Sequence, residues 1–527
     1  MHQDSTSEMD RLPMEAVLRS DLNRTAQGKG GGNARRALFT AMAGIFASSQ
    51  AKGQVQVGPQ TPVDRVRRDN LYYLVNRASF GFTPALYSEA VQRGYEGWLD
   101  WQLNPENISD TEAEQALSAF PSVSLSAAQL YAAYGPGGAA GDPQDVVRDL
   151  RGARVVRAVR SERQLFERVV EFWGDHLNVP PADGPLQFFR TVYDSEVIRQ
   201  HALGYFPDLL MASAKSAAML IYLNGNENVA GAPNENYARE VMELHTLGVD
   251  GGYNENDIYE LARCFTGWTL YPPTSSQIGD FYFNPSLHDN GSKVVMGQPI
   301  PTGGGLGDGE DMLLFLASHP STAAYVTKKL ATHLLDYDPP QALLDEAASV
   351  FLATGGHIKE VVRVILSGRW IDVVDPWNTP KISRPLHFVS SLLRTPGVEL
   401  TSPIGVLNSL FVMGHLPFGW EAPDGYPDSA DAWGTSVLPR WDFAYRVFGG
   451  LVPGVSASAG ALYAALGSPG LSNLTERASW LLANRNLKPS EVQLVEDFVQ
   501  SGVASGGEEL LRSTLALIAS CPSYQYL

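Results

Sequence analysis

The chain of 527 residues is 44% hydrophobic and 10% aromatic, and 57 acidic residues against 39 basic ones give a net charge of -18. That balance excludes a uniformly basic protein built to coat nucleic acid, because phosphate binding needs clustered Lys and Arg. The apolar content excludes wholesale disorder, and no apolar run reaches the roughly 18 residues that span a bilayer.

The N-terminal segment is polar and Gly-rich, ending Gly30-Gly31-Gly32-Asn33. Arg35-Arg36, an Ala-rich stretch to Ser49 and a small-x-small site at Ser49-Gln50-Ala51 then give the pattern of a twin-arginine export signal. The expectation is an export signal over residues 1–51, one helical unit over 60–527, and a periplasmic or extracellular mature protein. Cutting after Ala51 removes six bases and five acids, so the acidity belongs to the remaining chain. Cys264 and Cys521 allow at most one disulfide, and Cys264 sits in an apolar helical pattern as a core residue.

Helical periodicity dominates the rest. It predicts helices over Val63–Ser79, Thr83–Asn104, Asp145–His176, Glu196–Ala214, Asn236–Leu247 and Asp257–Trp268. Further helices are predicted over Asp311–Ala317, Thr322–Leu335, Pro340–Ala353, Ile358–Ser367, Pro385–Leu393, Thr475–Ala483, Ser490–Ser501 and Glu508–Ala519. Phe281-Tyr282-Phe283 and Lys293-Val294-Val295-Met296 flank His288-Asp289-Asn290-Gly291, which predicts an irregular hairpin turning at Asn-Gly. The expected fold class is mainly α: a large multi-helical single unit with a small irregular β-hairpin insertion.

The richest stretch is Asn234-Glu235-Asn236-Tyr237-Ala238-Arg239-Glu240, followed by Glu243-Leu244 and Thr246-Leu247-Gly248. Asn234 is a good N-cap and Gly248 a good C′ residue. At about 100° per residue, Asn236, Arg239, Glu240 and Glu243 share one arc. Carboxylates at i and i+3 can divide acid and base roles if burial drives their pKa values apart. The same arc also fits a solvated face with an Arg239–Glu243 pair.

These residues, with Leu261-Ala262-Arg263 and Phe265-Thr266-Gly267-Trp268, resemble the signature of the bacterial family called Domain of Unknown Function 1800. Asn76-Arg77-Ala78-Ser79-Phe80-Gly81, Glu171-Phe172-Trp173-Gly174-Asp175-His176, His288-Asp289-Asn290-Gly291, Met413-Gly414-His415 and Pro423-Asp424-Gly425-Tyr426-Pro427 resemble it in the same order. The resemblance implies one large, mainly helical exported unit, often encoded beside an exported sulfatase-like protein that is the expected partner. It implies no reaction. Members commonly carry a His-x-His pair after Phe-Trp, whereas this chain has Gly174 at the first position.

The candidate catalytic groups are Glu240, Glu243 and His176. Asn236, Arg239, Asp175 and Asp424 are the candidate substrate-binding groups, with Asp175 placed to orient His176. His288 and Asp289 are the candidate metal ligands, and a divalent metal is the cofactor expectation. Bland readings stand beside these: a dipole-stabilised His at a helix end, and ordinary turn chemistry at Asp-Asn-Gly. No Gly-x-Ser-x-Gly, His-Glu-x-x-His or Cys-x-x-Cys occurs. The functional expectation is a carboxylate-dependent hydrolase or lyase acting on an extracellular polymer such as polysaccharide. The alternatives are a non-enzymatic envelope scaffold and an exported metal- or cofactor-binding protein.

Overall fold

The computed structural model describes residues 69–526, except 183, 375–380, 484–486, 503, 505 and 506. The expected export signal, and the first six residues of the helix expected from Val63, lie outside the described residues. Within them the chain is mainly α-helical, and its strands form two-stranded antiparallel ribbons. No described helix is long and apolar enough to cross a membrane.

Helix α1 (Asn70–Arg77) starts at Asp69, whose carboxylate accepts from Tyr72 N. The helix expected over Thr83–Asn104 is two, α2 (Pro84–Arg93) and α3 (Tyr95–Gln102), parted by Gly94 at φ +71°. The one expected over Asp145–His176 is also two, α4 (Pro143–Arg160) and α5 (Gln164–His176). The break is set by a side chain far off in sequence: Asp110 accepts from Ser161 Oγ (2.9 Å) and Glu162 N (2.7 Å), giving the backbone a partner outside the helix. Helix α6 (Leu186–Val192) has no sequence period because Leu186 to Thr191 are all buried; it widens into a π segment over Tyr193–Arg199.

The expected Asn236–Leu247 helix is α7 (Asn236–Glu240) continued as a second π segment, Val241–Thr246, with Leu247 N donating to Met242 O at 2.9 Å. Helix α8 (Glu255–Cys264) begins in the capping box of Asn254 and Asp257. The single hairpin expected after it is two ribbons. Strand β1 (Trp268–Leu270) pairs with β2 (Phe281–Phe283), and β3 (Lys293–Val295) pairs with β4 (Gln298–Ile300). The β3–β4 turn is Met296-Gly297, both at positive φ, as a tight hairpin requires. Asn290-Gly291 forms instead an Asx turn, with Gly291 N donating to Asp289 Oδ1.

The later helices that matter for function are α9 (Gly307–Ala317), α10 (Pro320–Leu334), α11 (Pro385–Leu393), α12 (Val437–Phe448) and α13 (Gly507–Ser520). Two large apolar clusters organise them. One joins α1–α3, α5, α7, α8 and α10, with Trp98, Trp173 and Trp268 fully buried in it. The other gathers α11, α12 and α13 onto Val155, Val156 and Ala158 of α4. Each fully buried Leu, Val or Phe contributes about 1.5–3 kcal/mol. Cys264 and Cys521 are free and buried, one in each cluster.

Candidate functional site

Helix α5 packs Leu165, Val169, Phe172 and Trp173 into the first core. Its other stripe, Arg168, Glu171 and Asp175, meets α11 of the second core rather than water. Glu171 is the hub. Its Oε2 accepts from Arg168 Nη1 at 2.7 Å and lies 2.8 Å from His387 Nε2, and Arg384 Nη1 lies 3.5 Å from Oε1. Burial alone would raise the Glu171 pKa, but His387, Arg384 and Arg168 outweigh it and hold the carboxyl well below its ordinary range. Burial lowers His387 to about 3.

This charged seam opens into a cleft of about 690 Å³, lined by the end of α5, residues 247–250 after the second π segment, α10, Arg384 and residues 424–428. On its floor, His333 Nδ1 lies 3.1 Å from Asp428 Oδ2, and Lys381 Nζ also binds Asp428. Burial lowers His333 to about 4, while Lys381 and His333 overcome burial to hold Asp428 low. Asp175 accepts from Arg384 Nη2 at 2.6 Å, yet burial still raises its pKa. On the wall, Lys329 makes no ion pair or hydrogen bond among the described residues; its Nζ sits 5.5 Å from the Tyr325 ring centroid. Burial brings its pKa down to about 8, against the pull of Asp175, Asp424 and Asp428.

His176 lines the cleft, stacked on Phe172, with Nε2 3.0 Å from His245 O and Nδ1 without a partner. Burial, then Lys329, pushes its pKa well below the ordinary imidazole value. Asp175 and Asp424 line the same cleft, so three sequence-nominated residues from distant segments meet there. Asp175 is bound to Arg384 rather than orienting His176; Asp424 Oδ1 accepts from Trp420 Nε1 at 2.7 Å.

Glu240 and Glu243 do not line the cleft and reach its residues only through their charge. Burial, then Glu243 and Asp424, raise the Glu240 pKa, and the Glu243 charge reaches Tyr325. Asn236 is exposed. Arg239 pairs with Glu235 (3.2 Å) and Glu255 (2.7 Å), not with Glu243 as the i,i+4 spacing suggested.

His288 and Asp289 lie apart from the cleft in a closed network of their own. His288 Nδ1 is 2.7 Å from Thr266 O and its Nε2 3.2 Å from Asp308, which also binds Lys293. Asp289 accepts from Arg263. Both imidazole nitrogens and the carboxylate thus have protein partners, and no group of three or more His, Cys, Asp or Glu among the described residues could hold a metal ion. These two residues read as a brace between α8, β3 and α9.

Sequence reasoning missed Lys329, His333, Arg384 and Asp428. One signal was present: Tyr325, Lys329 and His333 recur every fourth residue along α10, a polar stripe on an amphipathic helix. Loop and helix end are locked by Gly425. It has φ +72°, and a Cβ there would lie 2.1 Å from Asp175 O. Gly425→Ala is expected to lift the loop, costing about 1–3 kcal/mol and visible as a lower Tm. An unchanged Tm would show the contact to be slack.

The comparisons add a family and no activity. No curated protein and no solved structure matches the chain. A family model described as "Protein of unknown function (DUF1800)" matches residues 73–526, a span that takes in both cores, the seam and the whole cleft. The chain belongs to that family.

Proposed function

We propose that the protein is an exported hydrolase or lyase that cleaves an extracellular polymer, polysaccharide being the favoured class, by acid–base chemistry in the α5–α10 cleft. The observation that carries this reading is a pair of opposite displacements around one shared neighbour, Asp424. Lys329 is lowered to about 8, and Glu240, which feels the charge of Asp424, is raised. Acid and base with pKa values moved toward neutrality are what proton transfer at ordinary pH needs. Lys329 takes the proton from the attacking water or from a sugar carbon. Glu240 gives its proton to the departing oxygen, and Asp424 steadies positive charge developing between them. Tyr325, half-buried on the cleft wall, offers ring surface to a sugar.

The test is a panel of neutral and acidic polysaccharides incubated with purified protein. New reducing ends report hydrolysis; absorbance of an unsaturated product reports elimination. Product release by the native chain and none by Lys329→Met supports the reading. Equal release by both, or none by either across the panel, sinks it.

A further inference from the structure

Residue 174 does not face the cleft. Two residues apart on an α-helix, side chains diverge by about 200°, so Gly174 points away from His176. A Cβ on Gly174 would lie 3.7 Å from Arg154 Nη2 and 3.8 Å from Arg190 Nη2, with nothing else within 4 Å beyond its own chain neighbours and helix backbone. Both arginines are buried, Arg190 completely. Among the described residues, none of the three guanidinium nitrogens of Arg190 has a hydrogen-bond partner, nor does Arg154 Nη1. Charge is out of balance as well. Arg154, Arg157, Arg190 and Arg199 share the carboxylates of Glu167 and Asp194, and Asp175, which also attracts Arg154 and Arg190, is itself held by Arg384. Arg199 takes Glu167 in a two-nitrogen grip, leaving Arg154 3.9 Å from Glu167 and Arg190 3.9 Å from Asp194, beyond hydrogen-bond reach. The Phe418 ring covers Arg190 at 4.3 Å and shields it from water.

We propose that Arg154 and Arg190 form a binding site for one small monovalent inorganic anion, of the halide class, in the space beside Gly174. Converging guanidinium N–H groups in a dry, net-positive setting are strong anion donors, since charge-assisted hydrogen bonds gain most where water is excluded. The two nearest donors to this point are one nitrogen of each guanidinium, Arg154 Nη2 and Arg190 Nη2, a pair that suits a single spherical ion. Each unpaired donor is costly when buried, so the anion completes the fold here. This site is independent of the chemistry proposed for the cleft.

The test uses the full chain at constant ionic strength, with sodium gluconate, whose anion is too large for the gap, exchanged stepwise for sodium bromide. A saturable rise in Tm of about 2–4 °C is expected, because a ligand bound only by the folded state stabilises it. Gly174→Val, which fills the gap and keeps both arginines, is expected to lose that rise. Crystals grown in bromide should give an anomalous peak between the two guanidiniums, a readout on the native chain that needs no variant. Identical melting in gluconate and bromide, an undiminished rise in Gly174→Val, or no anomalous peak overturns the proposal. A peak without a saturable rise means an adventitious ion only, and overturns it too.

Discussion

Lys329→Met is expected to lower turnover on whichever polymer the panel identifies by about 10²–10⁴-fold, the usual contribution of a positioned general base. The amine is uncompensated by any ion pair and is brought to about 8 by burial. The reactive form carries one proton, on Glu240 and not on Lys329, so kcat/KM of the native enzyme should be bell-shaped, with its basic limb falling through about 8. Met keeps length and apolar contact while removing the nitrogen, so folding should change little. The informative comparison is the pH profile. A native profile without a basic-limb inflection near about 8, or a Lys329→Met variant that keeps one, would remove Lys329 from the chemistry.

Glu171→Gln is expected to have the largest effect on stability, a loss of about 3–5 kcal/mol, as follows when one partner of a buried charge network is removed. Gln keeps the shape but leaves Arg168 and Arg384 without their common anion. The acid dependence fixes the sign. Glu171 has a folded pKa below its ordinary 4.5, so its stabilisation is complete above that value and is lost as pH falls through the depressed one. His333 and His387 are held neutral, at about 4 and about 3 against an ordinary 6.5. Below 6.5 the unfolded chain takes up protons that these two refuse, so native stability should already decline from there downward. Urea midpoints at neutral and mildly acidic pH measure both effects. A Glu171→Gln midpoint equal to that of the native chain would show that the seam is held by packing alone.

How far the sequence could be read depended on where each helix hides its polar face. Amphipathic periodicity located α10 and α11, and the end but not the start of α5, because one face of each is apolar over several turns. Periodicity cannot say whether the opposite face meets water or another helix, and in α5 the stripe of Arg168, Glu171 and Asp175 is interior. For the same reason α6, buried on nearly every side, had no period to detect. Breaks set by distant side chains, such as Asp110 capturing Ser161 and Glu162, were equally invisible. At the cleft, Asp175, His176 and Asp424 were legible because they sit at a helix end and in a Pro-Asp-Gly turn. Lys329 and Asp428 acquire their character only from burial against segments about 50 to 250 residues away, a proximity that chain order does not carry.

The π segment over Val241–Thr246 also has a meaning in rotational phase. A π turn holds one residue more than an α turn, and each α-helical residue turns the chain by about 100°. The extra residue therefore sets the angle at which Leu247 and Gly248 arrive at the cleft wall. There a Cβ on Gly248 would come within 2.8 Å of the Tyr325 ring. Deleting one residue between 241 and 246, the half-buried Leu244 for instance, would let the helix heal to regular α geometry. It would also swing everything downstream out of register, so that the wall would be lost without a single wall residue having changed.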